Sequence, residues 1–192
     1  HRLIPRIAFV GQLVLVGVVL WEASCGCMRG LSFSGLLYHT GIGDAFRVFF
    51  LLTGALVTWL GIVALERQTH PRIEFFHIVL VVTAAMMLLV QSHHFVMLFV
   101  ALETVTVGFY VLVSYFRSST SLEAGLKYLI LGALSSAMLT FGIVLLYGVA
   151  SNPALPGATT DSLAFESLRG FLAQNGGNAV AVIGMVLVLC GV

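Results

Sequence analysis

Charged residues are scarce in this sequence, which has nine Lys or Arg and eight Asp or Glu among 192 residues. Soluble domains carry roughly a quarter charged residues, whereas here the charged share is 9% and the mean hydropathy is +1.07. A chain with so few charged residues would expose a largely apolar surface to water, so the sequence predicts an integral membrane protein surrounded by a lipid bilayer. Because a basic patch with interleaved aromatic residues is also missing, we expect no nucleic-acid partner.

Residue groups that hold metals, nucleotides or redox centres are equally scarce. Cys25 and Cys27 stand close together without a second pair of ligands, which argues against a zinc site. Cys190 lies in an apolar run as a small packing residue. His93 and His94 are adjacent in a short turn, so their side chains point apart and make a poor metal site. Without a phosphate-binding glycine loop or a set of redox cysteines, the sequence predicts no NADH, flavin, iron–sulfur or metal site in this chain.

Six apolar runs predict the fold class, an all-α, polytopic transmembrane helix bundle in a single domain over residues 1–192. The predicted spans cover about residues 4–22, 45–66, 74–91, 94–117, 122–149 and 179–192. The last run is too short to cross a bilayer and residue 1 is not Met, so we expect a fragment cut inside its sixth span. Residues 161–172 have one apolar face and predict a helix lying flat on the membrane surface, capped by Asp161. No stretch predicts a β-strand.

Basic residues in the connecting segments orient the spans, because cytoplasmic loops are enriched in Lys and Arg. One side of the membrane would carry six basic residues: Arg2, Arg6, Arg67, Arg72, Arg117 and Lys127. The other side would carry three: Arg29, Arg47 and Arg169. This bias predicts that the side of residue 1 is cytoplasmic.

One carboxylate, Glu103, lies in the middle of the fourth span, with apolar residues for about two helical turns on either side. A charge at that depth costs roughly 3 kcal/mol on insertion scales. One interpretation is a buried ion pair that holds two helices together. We favour the other, a functional role, because intramembrane carboxylates usually mark ion or proton pathways.

Further polar residues continue from Glu103 along one face of the fourth span. Steps of three, seven and eleven residues reach positions on the same side of a helix with 3.6 residues per turn: Thr106, Tyr110 and Ser114. Arg117 closes this stripe at the basic side. The stripe therefore predicts a hydrated half-path for a proton from the middle of the membrane to that side.

Lys127 lies about one turn into the fifth span, four residues after Glu123. Two interpretations remain open, an ordinary surface ion pair with Glu123 and a functional cation. The hairpin geometry leaves roughly 10–15 Å of depth between Lys127 and Glu103 at 1.5 Å per residue. We therefore expect no direct pair between them, whereas a connection through water stays open.

Other polar or small residues of the spans are interpreted as packing positions. Gly132, Ser136 and Thr140 recur every four residues and predict a face on which helices approach closely. His77, near the start of the third span, is predicted to be a hydrogen-bonded core histidine in preference to a proton-carrying group. Gly108 removes bulk from the fourth span and could admit water or a neighbouring backbone.

The hairpin formed by the fourth and fifth spans resembles a known family. Its arms read LETVTVGFYVLVSYFR and SLEAGLKYLILGALSSAMLTFGIVLLYG, and they are similar to the antiporter-like subunit N of respiratory complex I, the NADH:quinone oxidoreductase. The resemblance implies that Glu103 matches an essential proton-pathway carboxylate and that Lys127 matches a lysine needed for pumping. It places the family's central channel lysine shortly after Val192.

The resemblance also implies a function and its setting. We expect a non-redox, proton-translocating subunit of this oxidoreductase in the bacterial inner membrane, with other membrane-arm subunits and the lipid bilayer as partners. NADH, flavin, iron–sulfur centres and quinone would belong to partner subunits. Subunits of multisubunit cation/proton antiporters share the glutamate and the lysine, so an antiporter subunit is the alternative, and the transported ion, H⁺ or Na⁺, stays open.

Overall fold

The computed structural model describes residues 3–26, 30–65 and 72–192. In these residues the chain forms seven α-helices, and five of them, α1 to α5, are long and apolar enough to cross a membrane. Their bounds are α1 Leu3–Cys25, α2 Gly41–Leu65, α3 Arg72–Gln91, α4 Phe95–Val113, α5 Ser119–Ala150, α6 Phe165–Gln174 and α7 Ala179–Gly191. The predicted all-α, polytopic bundle is confirmed. The sixth predicted span corresponds to α7, an apolar helix of 13 residues.

The prediction that no stretch forms a strand is wrong in one place. Between α1 and α2, strands β1 (Gly30–Ser32) and β2 (Leu37–His39) pair as an antiparallel hairpin. Leu36 accepts a hydrogen bond from the His93 backbone at 2.9 Å, which attaches the hairpin to the turn between α3 and α4. Strands of three residues are too short to show the alternation that predicts a strand from sequence.

The transmembrane helices pack mainly against their neighbours in the sequence, and α1 also contacts α3. Large apolar side chains cover the outside, where many are more than half exposed, such as Ile7, Trp21 and Ile130. Lipid is as apolar as these side chains, so membrane helices pack through close fit and small residues instead. Gly54 illustrates this fit, because a Cβ on it would lie 2.5 Å from the Thr83 hydroxyl.

Helix α5 has 32 residues and is about 48 Å long at 1.5 Å per residue, well beyond the ~30 Å hydrocarbon core. Its first half packs on α4 and its second half on α7, where Gly142 lies against the Gly184 backbone. The prediction that Gly132, Ser136 and Thr140 form a face on which helices approach closely is therefore only partly correct. Gly132 does receive a side chain of α4, but Thr140 is exposed and donates its hydroxyl to the Ser136 carbonyl at 2.8 Å.

Helix α6 begins four residues later than the predicted start at Asp161. Ala164 is its N-terminal flanking residue, and Asp161 instead accepts a hydrogen bond from His94 at 3.2 Å. The apolar face of α6, Leu168 and Phe171, is buried in a cluster with Leu146, Val149 and Ala150 of α5. This face thus packs on protein, and not on lipid as the amphipathic pattern predicts.

Candidate functional site

Glu103 lies in the middle of α4 and lines a groove between α3 and α4. This α3–α4 groove has a volume of about 460 Å³ and is lined mostly by apolar side chains, including Ile78, Val81, Val107 and Val111. The Glu103 side chain is partly buried, and within the described residues no ion pair neutralises it. A carboxylate in such surroundings needs water or a further protein surface to stay charged inside a membrane.

The groove continues into a second cavity near the C-terminal end of α4. This end cavity has a volume of about 320 Å³, shares Ile78 and Val111 with the groove, and is lined by four polar residues: Glu74, Ser114, Tyr115 and Arg117. Burial raises the pKa of the Tyr115 phenol, which lies beyond the last residue of α4, and the nearby Glu74 carboxylate raises it further. The α3–α4 seam therefore links a mid-helix carboxylate to a charged region at the helix end.

Two residues of the predicted polar stripe turn toward α5 rather than into the α3–α4 groove. The Tyr110 hydroxyl occupies the space above Gly132, and its ring packs edge-on against Tyr128 at a centroid distance of 5.1 Å. Ser114 lies against Gly125, where a Cβ would be 3.0 Å from the serine Cβ. Because the two glycines let α5 approach α4 closely, this part of the stripe is covered by protein.

The hydroxyl groups of the stripe already donate to the backbone of their own helix. Thr106 donates to the Glu103 carbonyl at 3.0 Å and to the Leu102 carbonyl at 3.1 Å, while Ser114 donates to the Tyr110 carbonyl at 2.8 Å. A proton relay needs each hydroxyl to accept one proton and release another. Each of these groups would have to rotate away from its carbonyl before it could pass a proton onward.

Lys127 forms an ion pair with Glu123, with 2.6 Å between Nζ and Oε1, and both side chains are about two-thirds exposed. The contacts of Ser114 with Gly125 and of Tyr110 with Gly132 set the register of the two helices. In that register Glu103 lies about ten residues, or ~15 Å, from Lys127 along α5. The structure thus agrees with the expectation that these two residues form no direct pair.

The prediction that His77 is a core histidine is wrong. Its side chain is exposed and lines the α3–α4 groove together with Glu103. Its Nδ1 is 2.9 Å from the Ile73 carbonyl, which can only accept, so this nitrogen carries a hydrogen. The sequence did contain the signal, a titratable residue at the start of an apolar span, but a single span does not show which of its faces meets a neighbour.

Gly108 admits neither water nor backbone, in contrast to the prediction. The Val82 side chain of α3 fills the space above it and would overlap with a Cβ, and Ile78 lies 3.9 Å from that position. Gly108 therefore fixes where α3 and α4 touch, with the groove running beside the contact.

The turn between α3 and α4 contains an interaction that the sequence analysis missed. His94 accepts a hydrogen bond from the Val96 backbone through Nδ1 at 3.2 Å, which caps α4. Its other ring nitrogen therefore carries the hydrogen and donates to Asp161 at 3.2 Å. Phe95 also donates to the Leu163 carbonyl at 3.0 Å, so the long loop before α6 is fastened to the start of α4.

A second polar group lies inside the α1–α2–α3 bundle. Gln12, Thr58 and Thr83 are all less than a tenth exposed. The two threonines donate to their own helices, Thr58 to Gly54 and Thr83 to Val79, each at 2.8 Å. Both amide atoms of Gln12 are buried and have no hydrogen-bond partner among the residues that the structure describes.

The described part of the chain contains no group of three or more His, Cys, Asp or Glu residues placed to hold a metal ion.

Relatives of known sequence cover the whole chain. It is 59% identical over 194 residues to NADH-quinone oxidoreductase subunit N 1 of Opitutus terrae, covering 100% of this chain and 38% of that protein. It is 33% identical over 189 residues to subunit N of Rhodospirillum rubrum, covering 95% of this chain and 37% of that protein. The chain thus spans less than two-fifths of the length of these relatives.

Solved structures show the same fold. Respiratory complex I from Thermus thermophilus with bound aureothin contains a chain that matches with a TM-score of 0.73 and 26% identity, over 98% of this chain and 37% of that one. The archaeal membrane-bound sulfane sulfur reductase matches in fold with the same TM-score at 20% identity. The transmembrane model of the NADH:quinone oxidoreductase/Mrp antiporter family matches residues 92–192, more than half of the chain. The resemblance predicted from the α4–α5 hairpin is therefore confirmed, and this multi-pass membrane chain belongs to the NADH:quinone oxidoreductase/Mrp antiporter transmembrane family.

Proposed function

We propose that this chain is a redox-free, proton-translocating part of an NADH:quinone oxidoreductase, with Glu103 as its proton-carrying carboxylate and Lys127 as a charged group of the same pathway. The observation that carries the proposal is the position of Glu103, mid-helix in a groove that leads to the charged end cavity. Both residues lie within the segment that matches the family.

The groove offers a route for protons along the α3–α4 seam. Its volume is large enough for a file of water molecules between Glu103 and the end cavity, and the polar groups that could bind such water in the mostly apolar lining are Glu103, Thr104 and His77. Water in that file would carry the proton past Thr106 and Ser114, because the hydroxyls of these two residues are hydrogen-bonded to the backbone of their own helix. Protons would enter beside Glu74 and Arg117 and pass along this file to Glu103 at mid-membrane.

The distance between Lys127 and Glu103 limits the electrostatic interaction between their charges. Two unit charges ~15 Å apart interact by about 1 kcal/mol at an effective dielectric constant of 20. Lys127 is 70% exposed and paired with Glu123, so solvent and its partner weaken this coupling further. Lys127 can therefore bias the charge of Glu103 only slightly, and a second cation closer to Glu103 would have to drive proton release.

The proposal extends to the rest of the complex through the resemblance to subunit N. NADH, flavin, iron–sulfur centres and quinone would be held by partner subunits, and the neighbours of this chain would be other membrane-arm subunits in a bacterial inner membrane. The six basic residues predicted on the side of residue 1, against three on the other side, support a cytoplasmic location for the side of residue 1.

The substitution Glu103→Gln in the full-length subunit of the assembled complex tests the proposal. We expect protons pumped per electron to fall severalfold, with partial retention in Glu103→Asp, because the amide cannot ionise. Glu166→Gln, in the exposed first turn of α6, is the matched control. Normal pumping in Glu103→Gln would contradict the assignment. Altered assembly with normal pumping per assembled complex would instead support a purely structural ion pair.

The family model also covers Mrp antiporters, which keeps a cation/proton antiporter subunit as the second candidate. Purification of the chain with its partners separates the two. NADH-oxidising subunits in the preparation support the oxidoreductase, whereas a set of small exchanger subunits without them supports the antiporter.

A further inference from the structure

The α3–α4 groove holds a second titratable side chain. We propose that His77 is a proton-carrying group that receives protons from the end cavity beside Glu74 and passes them on toward Glu103. This inference rests on the proposed function, because it extends the pathway that leads to Glu103.

The position of His77 places it between the two ends of the pathway. Gly108 touches Val82 and Ile78, which sets the register of the two helices. In that register Glu103 and His77 lie about nine residues apart along the seam, or ~13 Å at 1.5 Å per residue. Direct transfer across that distance is excluded, so the groove that both residues line must supply the water between them.

Glu74 precedes His77 by three residues on α3, and residues at this spacing are neighbours on a helix surface. Glu74 lines the end cavity, where Ser114, Tyr115 and Arg117 of the neighbouring segment also lie. His77 therefore lies where the apolar groove meets the polar end cavity. A proton that reaches its imidazole is one helical turn from a carboxylate outside the apolar region.

The hydrogen bonding of His77 suits it to accept and release protons. Nδ1 donates to the Ile73 carbonyl at 2.9 Å, so the neutral ring has its lone pair on Nε2. Within the described residues Nε2 has no hydrogen-bond partner. The ring can gain and lose a proton at Nε2 while the Nδ1 bond stays intact.

The substitution His77→Ala in the assembled complex tests this role, with pumping measured with and without added imidazole. We expect protons pumped per electron to fall severalfold and imidazole to restore most of the loss, because the exposed groove admits a free base. Leu88→Ala, which shortens an exposed side chain of α3 that does not line the groove, is the matched control. It should pump normally and be insensitive to imidazole.

Other outcomes separate the two proposals. Normal pumping in His77→Ala alongside a severe loss in Glu103→Gln overturns the role of His77 and leaves that of Glu103 intact. A loss in His77→Ala that imidazole does not restore assigns His77 a structural role and also overturns the inference. If His77→Ala fails to assemble, His77→Gln fills most of the space without a titratable ring, and normal pumping in that variant overturns the inference.

Discussion

The contact between α5 and α7 allows a sharp prediction about packing, made with the substitution Gly142→Ala. A Cβ at this position would lie 2.7 Å from the Gly184 carbonyl oxygen and 2.8 Å from the Val188 backbone nitrogen. These are backbone atoms that cannot rotate away, so the two helices would have to separate by several tenths of an ångström. Overpacking of this kind costs about 1–3 kcal/mol.

The matched control is Gly148→Ala on the same helix, where a Cβ would meet no atom within 4 Å. Both variants gain the helix propensity of alanine, up to about 1 kcal/mol, so this gain cancels between them. The stability of the two variants should therefore differ by about 1–3 kcal/mol in favour of Gly148→Ala. Denaturant or thermal unfolding of the purified complex in detergent measures this difference. Equal stability of the two variants would refute the close backbone contact of α5 with α7.

Three further substitutions test polar groups at different depths. Gln12→Met removes a buried amide that has no hydrogen-bond partner in the described part of the chain, so the unfolding free energy should rise by about 1 kcal/mol. A clear loss of stability in the same unfolding assay would mean that Gln12 is hydrogen-bonded in the assembled protein. Glu123→Gln breaks an exposed ion pair worth at most ~1 kcal/mol, so assembly of the complex should be unchanged. Lys127→Gln should instead reduce pumping if Lys127 carries charge in the pathway. Equal pumping in these two variants would favour an ordinary surface pair.

The spans could be predicted from sequence because length and hydropathy alone decide them. Helix ends were less accurate, since they depend on single side chains. Helix α2 begins at Gly41 rather than near residue 45, because the Thr40 hydroxyl accepts the Gly43 backbone hydrogen bond at 3.0 Å. Helix α4 ends at Val113 rather than residue 117, because Arg117 adopts a left-handed conformation with φ of 52° that reverses the chain.

Contacts between distant segments could not be predicted in this way. The amphipathic pattern of α6 shows an apolar face but not what covers it, and α5 rather than lipid does so. A helical wheel likewise places Tyr110 and Ser114 on the same side as Glu103 without showing which helix lies opposite. His77 was misassigned for the same reason, because its environment is created by α4 and not by its own span.

The glycines of α5 decide on which side of α4 a proton could travel. Gly125 and Gly132 bring α5 so close that Ser114 and the Tyr110 hydroxyl fill the space between the helices. On the other side, Gly108 brings α3 into contact through Val82 and Ile78, and a groove remains beside that contact. The polar stripe of α4 is thus mainly part of a packed interface. If Glu103 moves protons, the open route lies along α3, past His77.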